Sequence, residues 1–321
     1  MKRWLRIALT VLGVFIAAAL ILPLVVPIPP AGDTVPAETL AGPDGEFIDV
    51  DDLAVYLRRE GEGDTPLILL HGFGASLFSW REVIDPLAEN QLVIAYDRPA
   101  FGLTERPMPP FPGGESPYST RAQAELALSL MDELGLDEAV LVGNSAGGTI
   151  AMLAALEHPE RVAALILVSP AVYAGGGTPG FVRPLLGLPQ VRRLGPLFAR
   201  NIRDWGLDLV YTAFHDPSLI TPDLVDGYTQ PLQVDDWDRA LWELVLASER
   251  PDLAARLGEL DLPVLIITGD DDRVVPTADS IRLADEIPGS ELVVLPACGH
   301  VPQEECPQAF LDAVVAFLGG L

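Results

Sequence analysis

The sequence predicts an α/β fold: a mostly parallel central sheet flanked by helices, with a helical cap inserted between two late strands. Three observations carry this. Short, wholly apolar runs such as Leu67–Leu70 alternate with longer helical patterns, as strands buried on both faces and crossed by helices require. The alternation stops at about Ala171 and resumes at Pro263. The roughly 80 residues from 171 to 250 are too many for a plain loop and read as short helices rich in aromatics.

At the N-terminus, Lys2, Arg3 and Arg6 precede an uncharged run from Ile7 to about Pro30. About 20 apolar residues come before the prolines gather, enough to cross a bilayer. Positive charge before the run places that end in the cytoplasm and the rest of the chain outside. The competing reading is a cleaved signal peptide, for which Ala17-Ala18-Ala19 offers a small-residue site. The apolar run continues through Leu20–Val26, however, where a mature N-terminus turns polar. Residues 1–30 are therefore read as a transmembrane anchor in preference to a signal. The catalytic domain is extracytoplasmic and membrane-anchored on the first reading, secreted on the second.

Residues 31–44, rich in Pro, Gly and Ala, read as a linker. The core begins over 45–170 with strands at Phe47–Val50 and Leu53–Leu57, then Leu67–Leu70. A helix follows over Ser76–Glu89, then a strand at Leu92–Tyr96 and a long loop from Pro99 to Pro117. The helix predicted over Thr120–Leu134 carries Ala124, Leu128, Met131 and Leu134 at helical spacing. A strand at Ala139–Gly143, a helix at Gly147–Glu157 and a strand at Ala164–Ser169 complete this part. Residues 171–250 form the cap. The core resumes over 251–321 with strands at Pro263–Thr268 and Glu291–Leu295 and helices at Thr277–Glu286 and Pro307–Leu318.

The formal net charge is −26 and Lys2 is the only lysine. Such a surface repels nucleic acid, which is excluded as a partner, and gains nothing from anionic headgroups. Two cysteines, Cys298 and Cys306, give no disulfide framework. Two unpaired thiols are the preferred reading, although an exported location permits a bond.

Chemistry enters with Gly143-Asn144-Ser145-Ala146-Gly147, which follows an apolar strand and precedes a helix. In this context G-x-S-x-G forms a nucleophile elbow, with small flanking residues because the serine sits on a strained turn. Ser145 is thus the candidate nucleophile. A serine needs a base, and there are four histidines. His71 ends a strand and His158 ends a helix, positions that read as structural, while His215 lies in the cap. His300 directly follows the last strand, at the sheet edge where the elbow also lies, and is the candidate base. One of Asp270, Asp271 and Asp272 would orient it, in the chain order Ser…Asp…His; spacing does not choose among them. An acidic run also reads as a solvated turn, and EF-hand spacing for calcium is absent. For the oxyanion, Ala146 offers one backbone N–H. His71-Gly72-Phe73-Gly74, the loop after an apolar strand, offers a second from Phe73.

Four segments, LILLHGFG, YDRPAFGLT, LVGNSAGGTIAM and the pair ITGDDDRVVP with PACGHVPQEECP, resemble the cap-bearing α/β-hydrolase superfamily in its own order. The resemblance spans nearly everything from Glu46 to Leu318. It implies that the acid is Asp272, just before Arg-Val-Val-Pro. Asn144 departs from the family, standing where many relatives carry histidine. The layout also resembles membrane-bound monoacylglycerol lipase-type members. Members with an aspartate nucleophile act on epoxides or halides, and Ser145 argues against both.

The expected activity is hydrolysis of a carboxylic ester with an apolar acyl chain, such as a monoacylglycerol, through an acyl-enzyme. The cap stretch FVRPLLGLPQVRRLGPLF suits such a group, though the same residues equally read as cap packing. No cofactor or metal is required. The alternative is a carbon–carbon bond hydrolase of ring-fission products, whose acidic substrates call for cations such as Arg183, Arg192 and Arg193. A non-catalytic ligand-binding protein on the same fold would show a lost triad member, and none is lost.

Overall fold

The structure is a computed structural model that describes residues 2–173, 181–249 and 251–321. Eight strands form one sheet among the described residues. They are β1 (Glu46–Val50), β2 (Leu53–Glu60), β3 (Leu67–Leu70), β4 (Val93–Tyr96), β5 (Ala139–Asn144), β6 (Val162–Val168), β7 (Val264–Gly269) and β8 (Glu291–Leu295). Their order is β1-β2-β4-β3-β5-β6-β7-β8, with β2 antiparallel to both its neighbours, β1 and β4, and every other pairing parallel. The chain winds outward from β3 to β4, then crosses back and builds away through β5. The switch point, where the carboxyl ends leave a crevice, lies between β3 and β5.

The helices are α1 (Lys2–Val25), α2 (Ile84–Ala88), α3 (Thr120–Glu133), α4 (Ala146–Glu157), α5 (Arg183–Leu186), α6 (Pro189–Ala199), α7 (Ile202–Ala213), α8 (Pro222–Thr229), α9 (Trp237–Ala247), α10 (Thr277–Glu286), α11 (Pro302–Glu305) and α12 (Pro307–Leu318). Alternation along β3 divides the core. Ile68 and Leu70 pack with Leu130, Ile150 and Leu283 from α3, α4 and α10. Leu67 and Leu69 pack on the other face with Trp80, Ile84, Phe310 and Phe317. Apolar residues at successive positions of one strand thus serve both layers. The cap helices α5–α9 join β6 to β7, as expected. Residues 174–180 and 250, at the cap's two ends, and the side chain of Arg183 lie outside the described part.

Three local readings are corrected. The helix expected over Ser76–Glu89 is two short pieces, a single turn at Leu77–Trp80 and α2. Pro86 explains the break, because it has no N–H to give to Glu82 and its ring crowds that carbonyl. Residues 31–44 are more than a spacer: the Val35 N–H donates to the Gln233 carbonyl at 2.9 Å, and Asp235 N–H donates back to Val35 at 2.9 Å. Leu40 and Ala37 pack beside Tyr56, Leu103 and Val234, so the segment straps cap to core. Third, Cys298 and Cys306 are bonded as a disulfide with Cα atoms 6.3 Å apart, and are not two free thiols. The short helix α11, unread in the sequence, brings them together.

Candidate active site

The elbow is built as its glycines demand. Ser145 holds φ 53°, ψ −117°, between the end of β5 and the start of α4. A Cβ on Gly143 would sit 2.6 Å from the Gly147 and Gly148 backbone, and one on Gly147 would lie 2.1 Å from the Leu70 carbonyl oxygen. Those close approaches seat α4 against the ends of β3 and β5, leaving Ser145 on the cavity wall. Its N–H donates to the Val168 carbonyl at 2.9 Å, which offsets part of the strain. Asn144, the family departure, is buried and donates from Nδ2 to the carbonyls of Val168 and His300, each at 3.2 Å. It ties the elbow to the histidine loop.

His300 and the three aspartates separate clearly. Asp272 Oδ2 lies 2.8 Å from His300 Nδ1, with both side chains buried. Its other oxygen accepts from the backbone N–H groups of Val274 and Val275, at 2.9 and 2.8 Å. The carboxylate is therefore fixed at both oxygens, and His300 Nδ1 carries the proton it donates. Nε2 is left for chemistry, and His300 shares the cavity wall with Ser145. Asp271 instead pairs with Arg273 and with His215 Nδ1 at 2.8 Å from the cap, contacts that hold its carboxyl below the usual range. Asp270 Oδ1 accepts from Cys298 N–H at 3.4 Å.

The histidine loop is clamped from the cap side. His300 N–H donates to the Ala213 carbonyl at 2.6 Å. Glu305 accepts from Gly299 N–H at 2.6 Å, His215 N–H at 3.0 Å and Asp216 N–H at 2.7 Å. One carboxylate thus joins the loop holding His300 to the end of α7. The Cys298–Cys306 disulfide brackets the same loop.

Opposite stands the loop after β3. Arg98, buried at 2% exposure, donates from Nε to the His71 carbonyl at 2.9 Å and from Nη2 to the Gly72 carbonyl at 3.0 Å. Its third contact is Gln123 Oε1, at 2.6 Å. Burial lowers its pKa to about 10, so it stays charged at neutral pH. His71 is buried beside it: Nε2 accepts from Arg98 N–H at 3.0 Å, so Nδ1 donates to the Gly72 carbonyl at 2.8 Å. Because the peptide is planar and trans, a Gly72 carbonyl pulled toward Arg98 turns the Phe73 N–H the opposite way. Ala146, at the first turn of α4, has an N–H without an intrahelical acceptor. Phe73 lines the cavity, and Ala146 adjoins Ser145 on its wall. Arg98 was not singled out in the sequence. It lies within YDRPAFGLT, but its partners are 25 to 27 residues away.

The cavity has a volume of about 250 Å³, at the small end for ligand sites. The cap supplies Trp205, Leu209, Val210, Phe214 and Leu232 to its wall, and Arg203 is the cation among the described lining residues. Trp205 stacks on Phe73, with centroids 6.0 Å apart and planes 13° apart. The other arginines considered are engaged elsewhere: Arg192 pairs with Glu243 at 2.5 Å, and Arg193 donates to the Val26 carbonyl at 3.2 Å.

Comparison with known proteins agrees with this architecture. "Uncharacterized hydrolase YugF" of Bacillus subtilis is 30% identical over 275 residues, 84% of this chain and 96% of that protein. The 2-hydroxymuconate semialdehyde hydrolase of Pseudomonas sp. (strain CF600) is 33% identical over 273 residues, 82% of this chain and 89% of the relative. Among solved structures, a meta-cleavage product hydrolase from Pseudomonas fluorescens IP01 superposes with a TM-score of 0.67 at 29% identity. It covers 86% of this chain and 98% of its own. A family model described as the alpha/beta hydrolase fold matches residues 65–307, spanning β3, the elbow, the cap and the histidine loop, and the chain belongs to that family.

Proposed function

We propose that the chain cleaves a carbon–carbon bond beside a ketone in an acidic product of aromatic ring fission. Ser145 is the nucleophile, His300 the base and Asp272 its partner, with the N–H groups of Phe73 and Ala146 as oxyanion donors. The observation that carries this is the similarity to ring-fission hydrolases over more than four-fifths of the chain, joined to Ser145 and His300 on the wall of one small cavity, with Asp272 behind His300 at 2.8 Å. In this reading the bound dienol first ketonises, its hydroxyl losing a proton and the carbon beside the ketone gaining one, so that this carbon is conjugated to a second carbonyl. Ser145 Oγ then adds to the ketone and His300 Nε2 takes its proton. The oxyanion collapses, the carbon–carbon bond breaks, and its electron pair leaves as a dienolate that His300 protonates. Water then hydrolyses the acyl-enzyme. Arg203 is the cation that would meet the substrate carboxylate.

The ester reading expected from the sequence stands second, and the apolar cap wall favours it, since an ester needs no cation. The two are separated by assaying the full chain on 2-hydroxy-6-oxo-6-phenylhexa-2,4-dienoate and on p-nitrophenyl esters from acetate to palmitate. A dienoate kcat/KM at least about 100-fold above any ester supports the proposal, and the reverse assigns an esterase. Ser145→Ala should lower either activity by about 10⁴-fold or more. An activity that survives this substitution overturns the serine mechanism.

α1 is long and apolar enough to cross a membrane and is exposed along its length. We read it as an anchor with the hydrolase outside. The measured mass of the membrane-fraction protein checks this: retention of residues 1–30 supports the anchor, and their loss shows a signal.

A further inference from the structure

The cap meets the apolar helix at three graded positions. Gln190 Nε2 donates to the Leu20 carbonyl at 3.0 Å, Arg193 Nη2 to Val26 at 3.2 Å and Arg200 Nη2 to Pro29 at 2.8 Å. Residue numbers rise together, so α6 runs alongside the end of α1 in the same direction. If α1 spans the bilayer, these bonds form a depth scale. Leu20 lies about 7.5 Å along the helix from Val25, on the hydrocarbon side. Gln190 is therefore below the helix end, while Arg193 and Arg200 stand at headgroup level.

What precedes Gln190 fits that depth. Phe181, Leu185 and Leu188 are exposed, at 83%, 60% and 46% of their surfaces. Exposed apolar side chains grouped this way mark an interaction surface. Charge agrees. In a chain with 46 acidic residues, none occurs from Arg161 to Asn201, nor at Ile202 or Arg203. Arg193 is placed as a cation that holds its head at an interface, while Arg200 at the same level is paired with Asp238 at 2.8 Å.

We propose that residues 181–200 are a second, monotopic membrane element: Phe181, Leu185 and Leu188 enter the acyl region beside α1, with Arg193 and Arg200 at the headgroups. Arg203 and Trp205, on the cavity wall, follow within five residues in the sequence, so this element adjoins the cap wall of the cavity. This rests on the reading of α1 as an anchor, and the test separates the two.

The full chain is placed in phosphatidylcholine nanodiscs containing a phospholipid with a diazirine on its acyl chain, then photolysed and peptide-mapped. Crosslinks in both 3–25 and 181–198 are expected. Crosslinks confined to 3–25 overturn the cap proposal and leave the anchor standing. Their absence from 3–25 overturns the anchor, and the proposal with it. A Leu185→Glu, Leu188→Glu double variant should lower crosslinking at 181–198 at least several-fold and leave that at 3–25 unchanged. An unaltered yield at 181–198 overturns the assignment of these side chains to the acyl region.

Discussion

The elbow and histidine loop on one side and the cap on the other line the same cavity, yet they are held by different forces. In the core, reactive groups are fixed through backbone: Ser145 by its donation to Val168, Asp272 by two N–H groups, the Phe73 peptide by Arg98. The cap is held by ion pairs such as Arg192–Glu243 and Arg200–Asp238, and by apolar packing around Trp237 and Leu241. Backbone bonds in a buried, low-dielectric site set atoms to within tenths of an ångström. Side-chain packing sets volume and tolerates exchange. On the proposed function, the core would govern turnover and the cap which molecule is turned over.

The sharpest way to break that division is Asp272→Asn. The amide keeps the shape but no longer supplies the charge, and offers Nδ1 the wrong tautomeric partner. kcat should fall by about 10⁴-fold with KM little changed, measured on whichever substrate the chain turns over. A loss below about 10-fold would remove Asp272 from the site.

A smaller effect is expected at the junction. Glu305→Gln replaces an acceptor for three N–H groups with one oxygen and an NH₂ that opposes a donor. The His300 loop then loses register with the cap. kcat should fall roughly 30-fold with KM within about 3-fold, because a misplacement of about 1 Å is costly in catalysis. Partial recovery in Glu305→Asp would show that the carboxylate positions the loop. Equal changes in kcat and stability without recovery would show a merely structural role.

The sequence made the core legible for the same reason that the core is rigid. G-x-S-x-G can be read because the contacts around Gly143 and Gly147 exclude any side chain. The strands could be placed because residues buried on two faces must all be apolar. Asp272 needed the resemblance, since what separates it from Asp270 and Asp271 is a turn donating Val274 and Val275 N–H to one oxygen. Arg98 and Glu305 were not read, because each acts on backbone of segments distant in the chain or in the cap, and composition carries no trace of that. The cap was legible only as a length with short helical patterns in it, although α7 and α9 are as long as the core helices α10 and α12. The disulfide went unread because α11 is a single turn.

The support beneath the loop after β3 can be tested through stability. His71 is neutral, with its pKa held well below the usual 6.5 by burial and then by the charge of Arg98. The unfolded chain takes up a proton below pH 6.5 and the folded chain does not. The stability this group contributes is therefore full above pH 6.5 and is lost as pH falls below it, by about 1.4 kcal/mol per pH unit. Asp97 acts in the opposite sense, since burial raises it to about 6 and the folded state takes its proton first. Comparing the wild type with His71→Gln cancels Asp97. The stability gap between them, measured by denaturant unfolding, should narrow by about 1.4 kcal/mol from pH 7 to pH 5.5. A gap independent of pH would mean that His71 is not held neutral.

Trp205 is the smallest change and the most direct test of the cap's role. Its ring stacks on Phe73, and the two line one side of the cavity, with Phe101 meeting Phe73 edge-on at 5.4 Å. Such a pair is worth about 0.5–1.5 kcal/mol beyond its buried area. If Trp205 only shapes the pocket, Trp205→Ala weakens ground state and transition state alike, and KM rises roughly 5-fold with kcat unchanged. If it also steadies the Phe73 peptide, the oxyanion donor moves and kcat falls. The backbone bonds from Arg98 to the His71 and Gly72 carbonyls already fix that peptide without the ring. The KM effect is therefore the expected one, and a kcat loss above about 10-fold would put the cap inside the catalytic machinery.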